Sequence, residues 1–206
     1  MTRVLVMLCL SVSLCRLAEG QGLTDSNLPI VIIETDHGVE IPDSPRVLAT
    51  MKIISRGNGE RNYVTDQNNP AWLHYNGRID IEIRGSSSQF PDKKQYGFTT
   101  RKSDNISENN VSLLGMPKEN DWILNSMAFD SALIRDYLTY NLSRKIGEYA
   151  SKTAYCELII NGSFRGLYLL QEKIKADVNR VNVIRIGTSD NTAPGLTACK
   201  QYTQYS

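Results

Sequence analysis

The sequence predicts an α+β fold, mainly antiparallel sheet with one main helix. Three observations carry this. Ile79, Ile81 and Ile83 alternate with Asp80, Glu82 and Arg84, the period of a strand with one buried face. Asn161-Gly162 lies between two apolar runs, Tyr155 to Ile160 and Gly166 to Leu170, as the turn of a β-hairpin. Between these strands Leu133, Ile134, Tyr137, Leu138, Leu142 and Ile146 recur at three- and four-residue spacing, one apolar face of a helix.

Length and charge bound the function. The chain has 206 residues, enough for one domain, and a formal net charge of +1. So balanced a charge leaves no broad basic surface, and no nucleic-acid partner is expected. Thr2 and Arg3 precede an apolar run, Val4 to Leu14, and small residues follow at Ala18 and Gly20. This is the pattern of a signal peptide over residues 1–20, which implies a secreted, extracytoplasmic protein. The run is too short for an anchor and Arg16 interrupts it. No later stretch is long enough to cross a bilayer, so no membrane span is expected after signal removal. Cys156 and Cys199 follow the leader, too few for a disulfide framework, and Cys156 reads as a small core residue.

Taken in order, Leu28 to Ile33 is a buried strand and Met51 to Ile54 a short one. Asn58-Gly59 marks a turn. Residues 66–77 are loop-like and pinned by Trp72 and Tyr75. His74 has no second ligand at metal spacing and reads as a packing residue. The strand at Ile79 to Ile83 leads into Gly85-Ser86-Ser87-Ser88. A second alternation follows, with Lys94, Tyr96 and Phe98 on one face and Lys93 and Gln95 on the other. Asp121 to Leu124 is a buried piece anchored by Trp122. Asp130 or Ser131 is the expected helix N-cap; Arg144 and Lys145 suit the last turn and Gly147 the C-terminal cap. Val181 to Ile186 is a last extended piece. The domain is expected over residues 21–187. Residues 188–206 form a polar, non-periodic and poorly ordered tail.

The stretch around Gly85 carries the candidate chemistry. A loop of glycine and serine lets backbone N–H groups and hydroxyls approach an anion, and a neighbouring lysine can hold a phosphate. The same residues also fit an ordinary hairpin with a serine-rich turn and solvated lysines.

The larger pattern resembles the CotH kinase family, the spore coat protein H kinases. I-E-I-R-G-S-S-S is followed by D-K-K-Q-Y-G-F, then N-D-W-I-L-N and F-D-S-A-L-I-R-D-Y-L. C-E-L-I-I-N-G-S-F-R-G-L-Y-L-L-Q-E-K-I and N-R-V-N-V come last, the set spanning residues 79–186. The resemblance implies the N-terminal lobe of an atypical protein-kinase-like fold, with ATP and Mg²⁺ as cofactors and Ser or Thr of a protein as substrate. On that template the cofactor-binding candidates begin with Arg84, Gly85, Ser86, Ser87 and Ser88 in the phosphate-facing loop. Lys94 or its neighbour Lys93 is the nucleotide lysine, and Lys94 is preferred because it shares a face with Tyr96 and Phe98. Asp136 is the partner acid on the helix. Glu172, within Gln171 to Lys173, lies near the hinge.

The same template places catalytic and metal-binding aspartates after the hinge. Only Asp177 and Asp190 follow it here, neither in a recognisable catalytic motif. No catalytic or metal residue is therefore assigned. The expectation is the N-terminal half of such a kinase, inactive alone; the change of character from Ala198 fits a frameshift or premature end. A half-domain would expose a face that another lobe should cover, so self-association is expected alongside a protein substrate or surface partner. The alternative is a non-catalytic surface or attachment protein. A weaker third reading makes Trp72, His74 and Tyr75 a carbohydrate-contact patch. Asn-x-Ser sequons stand at Asn105, Asn110, Asn141 and Asn161.

Overall fold

Ile30-Val31-Ile32-Ile33 is apolar on both faces of an extended chain, and both faces are used. The computed structural model describes residues 22–57 and 59–183, and in it this run opens strand β2 (Ile30–Thr35). The short pair β1 (Asp25–Ser26) and β4 (Asn62–Tyr63) stands apart as a two-stranded ribbon. Val31 and Ile33 enter the main core, while Ile30 and Ile32 pack outside with Ile54 and Ile159. β2 pairs antiparallel with β3 (Val47–Ile54) along one edge. Along the other it pairs parallel with β8 (Thr153–Ile160).

That parallel contact closes the sheet. The remaining strands are β5 (Leu73–Ile83), β6 (Tyr96–Arg101), β7 (Asp121–Asn125) and β9 (Ser163–Glu172). The order around the barrel is β2-β3-β5-β6-β7-β9-β8 and back to β2. The expected α+β fold, mainly antiparallel sheet with one main helix in the manner of a kinase-like N-terminal lobe, is thereby corrected: among the described residues the architecture is mostly β, a closed seven-stranded barrel with one α-helix outside it. The physical reason lies in the edges. A strand apolar on both faces cannot leave its N–H and C=O row in water without exposing that surface too, and closure removes the edge altogether.

Alternation fills the interior. Ile79 and Ile81 of β5, Phe98 of β6, Trp122 and Leu124 of β7, Leu158 of β8 and Leu170 of β9 all point inward and are excluded from solvent. Trp122 donates its indole N–H to the Glu119 carbonyl at 3.2 Å, which satisfies the one polar atom of the largest core side chain. Cys156 is wholly buried, and burial pushes its thiol up to about 12. β5 begins at Leu73 and so takes in residues that the sequence places in a loop; its alternation continues through His74, Tyr75, Asn76 and Gly77.

The outer face of the same wall is charged. Arg46 reaches Asp80 and Glu82, both at 2.9 Å, and Arg101 also holds Asp80. Thr99 donates to Asp121 at 2.8 Å, and Lys175 bonds Asp121 at 3.0 Å and Glu119 at 2.5 Å. Burial works against the Asp121 carboxylate, yet the Lys175 and Thr99 bonds keep its pKa below the ordinary value.

β8 and β9 meet through Asn161 and Gly162, with φ of +48° and +74°, as the Asn-Gly pair predicts. The Asn161 side chain accepts from the Thr35 amide at 2.9 Å and so ties the turn to the end of β2. Helix α1 covers Arg135–Lys145 and starts later than expected. The Asp130 carboxylate accepts from the amides of Ala132, Ile134 and Arg135, holding the entry loop in place of a regular first turn. Those amides, Arg135 first, hold the Asp130 pKa below the ordinary value. No described helix is long and apolar enough to cross a membrane. The expected leader at 1–20 and tail at 188–206 lie outside the described residues.

Candidate functional site

β5 and β6 run in register until Ile83 and Tyr96, and Arg84 still donates to the Gln95 carbonyl at 3.0 Å. Beyond that rung the chain leaves the barrel as a loop. Gly85 opens it with φ +104°, and a Cβ there would collide with the Ser88 hydroxyl, so only glycine fits. One 3₁₀ turn follows, Ser87–Gln89. The Gln89 side chain donates back to the Gly85 carbonyl at 2.7 Å and across to Asp43 at 2.6 Å. Gly85, Ser86 and Ser87 remain exposed.

The two lysines do different work. Lys94 Nζ donates to the Gln89 carbonyl at 2.6 Å and staples the base of the loop. Lys93 turns to the barrel mouth, where Nζ donates to the Leu167 carbonyl at 2.6 Å and sits 4.7 Å from the Tyr168 ring centre. Burial lowers its pKa. Tyr168 donates to the Lys94 carbonyl at 2.7 Å, so both lysines help hold the loop to the barrel. Neither forms an ion pair with Asp136 among the described residues.

Asp136 nevertheless comes to the loop. A cleft of about 250 Å³ is lined by Ser88 and Gln95 from the loop, Asn125 from the end of β7, and Arg135 and Asp136 from α1. Asn125 Nδ2 donates to Asp136 at 2.8 Å, which orients the carboxylate. Arg84 lies over Gly97, with its stem 3.7–3.8 Å from where a Cβ on Gly97 would stand. It forms no ion pair among the described residues. It shares the neighbourhood of Tyr140 with Asp136; burial first, then Asp136, raises the Tyr140 pKa, and Arg84 opposes that. Thus Ser88 and Asp136 share one cleft, and Arg84 begins the loop that carries Ser88.

Glu172 stands elsewhere. It is buried, pairs with Arg180 at 2.9 Å and accepts from the Lys152 amide at 2.9 Å. Arg180 itself lies 5.0 Å from the Trp122 ring centre. The pair borders a separate cleft of about 510 Å³, and its geometry ties the chain after β9 to the barrel.

The Trp72, His74 and Tyr75 trio is not an open patch. Arg56 covers Trp72 at 4.5 Å while it binds Asp66. His74 Nε2 accepts from the Leu114 amide at 2.7 Å, and Tyr75 is buried with its hydroxyl pushed up to about 12. Asp177 accepts from the Asn179 amide in a turn, and Asp190 lies outside the described residues.

Asn125 is among the cleft residues that the sequence reading did not single out as a site. The signal for Asn125 was present: with Trp122 and Leu124 inward, strand period sends Asn125 outward at the strand end. The cleft lining sets Arg135 against two carboxylates, Asp130 and Asp136, and Arg135 pairs with Asp130 at 3.5 Å. The part that suits an anion is the exposed loop opened by Gly85, where backbone N–H groups and serine hydroxyls allow close approach, with Arg84 preceding it in the chain. They do not make a metal centre, since no group of three His, Cys, Asp or Glu among the described residues could hold an ion.

No curated protein matches the chain. The model of the CotH kinase protein family matches residues 81–202, a span that opens on β5, includes the serine loop and α1, and covers more than half of the sequence. The chain belongs to the CotH kinase protein family.

Proposed function

We propose that this chain forms the nucleotide-phosphate side of a secreted, ATP-dependent protein Ser/Thr kinase. The observation that supports it most is the meeting of Ser88 and Asp136 in one cleft, with Arg84 at the start of the loop that carries Ser88. A kinase family of this kind implies ATP and Mg²⁺. ATP supplies the phosphoryl group; this chain's residues bind and orient it. Arg84 offsets phosphate charge, the Gly85 to Ser88 turn lets backbone and hydroxyl donors approach, and Lys94 keeps the turn in shape through Gln89. Asp136, oriented by Asn125, ties α1 to the end of β7 and so fixes the cleft wall. No step of transfer is assigned to these residues, because Asp177 caps its own turn and, among the described residues, no carboxylate group gathers to orient an incoming hydroxyl. The chain is therefore read as unable to transfer phosphate alone.

Calorimetric titration of the purified chain with Mg²⁺-ATP tests the reading. Binding is expected, weakened roughly tenfold or more by Arg84→Ala and less by Lys94→Ala. No binding, or binding that both variants leave unchanged, would turn the reading toward a non-catalytic surface or attachment protein. Radiolabelled phosphate transfer to casein or to itself by the chain alone would refute the inactivity.

A further inference from the structure

The chain that leads into α1 holds two bulky residues in a backbone conformation they ordinarily avoid. Met127 has φ +52° and Leu133 φ +55°. There Cβ crowds the following carbonyl, and a residue other than glycine stays only when its surroundings hold it. Both are held. The Met127 amide donates to Asn125 Oδ1 at 2.9 Å. Around Leu133, the Asp130 carboxylate accepts from the amides of Ala132 at 3.1 Å, Ile134 at 2.9 Å and Arg135 at 2.7 Å. The Tyr155 hydroxyl, on β8, donates to the Leu133 carbonyl at 2.6 Å.

The local sequence favours a different conformation. Residues 131–146 contain neither glycine nor proline, and Leu133 and Ile134 continue the apolar spacing of Tyr137 and Leu138. Asp130 is a good N-cap for a helix that starts at Ser131. In such a helix the Leu133 carbonyl would accept from the Tyr137 amide, and the Ile134 amide would donate to the Asp130 carbonyl. Here side chains occupy both groups: Tyr155 takes the Leu133 carbonyl and the Asp130 carboxylate takes the Ile134 amide. Among the described residues, the amides of Asp136 and Tyr137 have no backbone partner.

We propose that residues 127–134 are a two-state wall of the cleft, with Asp130 and Tyr155 as its latch. In the latched form α1 keeps its 11 residues. When the latch releases, Leu133 turns right-handed and the helix gains one turn at its start. Met127, Phe129 and Asp130 line the cleft that also holds Ser88 and Asp136, so the longer helix draws this wall away and opens the cleft. Asn125 keeps Asp136 at the end of β7 in both forms, so the body of α1 stays in place. The proposal does not depend on the nucleotide reading.

Hydrogen exchange of the full ¹⁵N-labelled chain, read by NMR, tests it. The Tyr137 amide is the reporter, since only the longer helix gives it a backbone partner. Tyr155→Phe removes the hydroxyl and keeps the ring that stands 5.1 Å from Tyr137. Asp130→Ser keeps a capping residue but cannot hold three amides. Each should slow exchange at Tyr137 about tenfold or more and raise the helical circular dichroism signal. Leu133→Gly, added to either, should return exchange to its original rate, because glycine takes the left-handed form freely and weakens the longer helix. Unchanged exchange at Tyr137 in a folded Tyr155→Phe or Asp130→Ser chain overturns the proposal. So does a Leu133→Gly that fails to reverse the slowing. Loss of the folded barrel in both single variants also overturns it, since a latch should release α1 without dissolving the sheet.

Discussion

Two hairpins of the barrel wall differ in one respect. β8 and β9 are joined by two residues, Asn161 and Gly162, and the ladder runs to the turn. β5 and β6 are joined by residues 84–95, and the ladder stops at Ile83 and Tyr96. Both bury the same kind of interior side chain. The short turn spends nothing beyond what pairing needs. The long one carries a glycine with a conformation denied to other residues, three serines, and two lysines that hold it to the barrel. The comparison teaches that the barrel is a scaffold indifferent to the length of this connection. The extra chain is therefore free to carry a site.

The comparison can be broken first at the scaffold. Phe98→Ala removes a wholly buried ring from β6, and should cost about 3–5 kcal/mol in urea unfolding by the usual cavity penalty. If the two hairpins share one core, the loss appears as a single transition; two separated transitions would show that they unfold independently. Next comes Gly85→Ala. With φ +104° and the Ser88 hydroxyl in the way, it should cost about 2 kcal/mol and abolish Mg²⁺-ATP binding together. Gly162→Ala, at an ordinary left-handed position with open space around it, should cost only about 1 kcal/mol in the same unfolding assay and leave nucleotide binding alone.

Acid is a gentler probe. Asp121 and Asp130 titrate below their ordinary value in the folded chain. Their stabilisation is complete above the unfolded value of about 3.9 and is lost as pH falls through the lower folded values. The melting temperature should be level above about pH 5 and decline below about pH 4. A melting temperature that rises on acidification would contradict both assignments. The smallest effect on stability is expected from Arg84→Ala, below about 0.5 kcal/mol by thermal melting, because the guanidinium forms no ion pair. Its effect on nucleotide binding should be far larger than its effect on folding.

Much of the strand pattern was legible because it is local. Ile79, Ile81 and Ile83 announce their own face, and Asn161-Gly162 announces its own turn. Of the candidate residues, Ser88 and Asp136 come to one cleft, and Gly85 holds a positive φ of the kind its type permits. The lysines were legible as neighbours of the loop but not in their aim. Lys93 follows the Leu167 carbonyl and Lys94 the Gln89 carbonyl, and neither acceptor is adjacent in sequence. The helix was legible as having one apolar face, but not in which side meets the barrel. Its anchors, Asn125 and the Ser151 carbonyl, lie outside the helix.

By itself the sequence determined where most barrel strands lie, though not their bounds, and also where the tight turn lies, which family the motifs resemble and which loop carries glycine and serine. Period and turn chemistry act over a few residues, and a reader can follow them along the chain. Only the tertiary structure decided that the sheet closes, since the sealing contact joins Ile30 to Glu157 and its neighbours. It also decided which way α1 faces and which charge is left beside the serine loop. Those outcomes depend on pairings between distant segments, where burial and hydrogen bonding of whole edges outweigh any local preference.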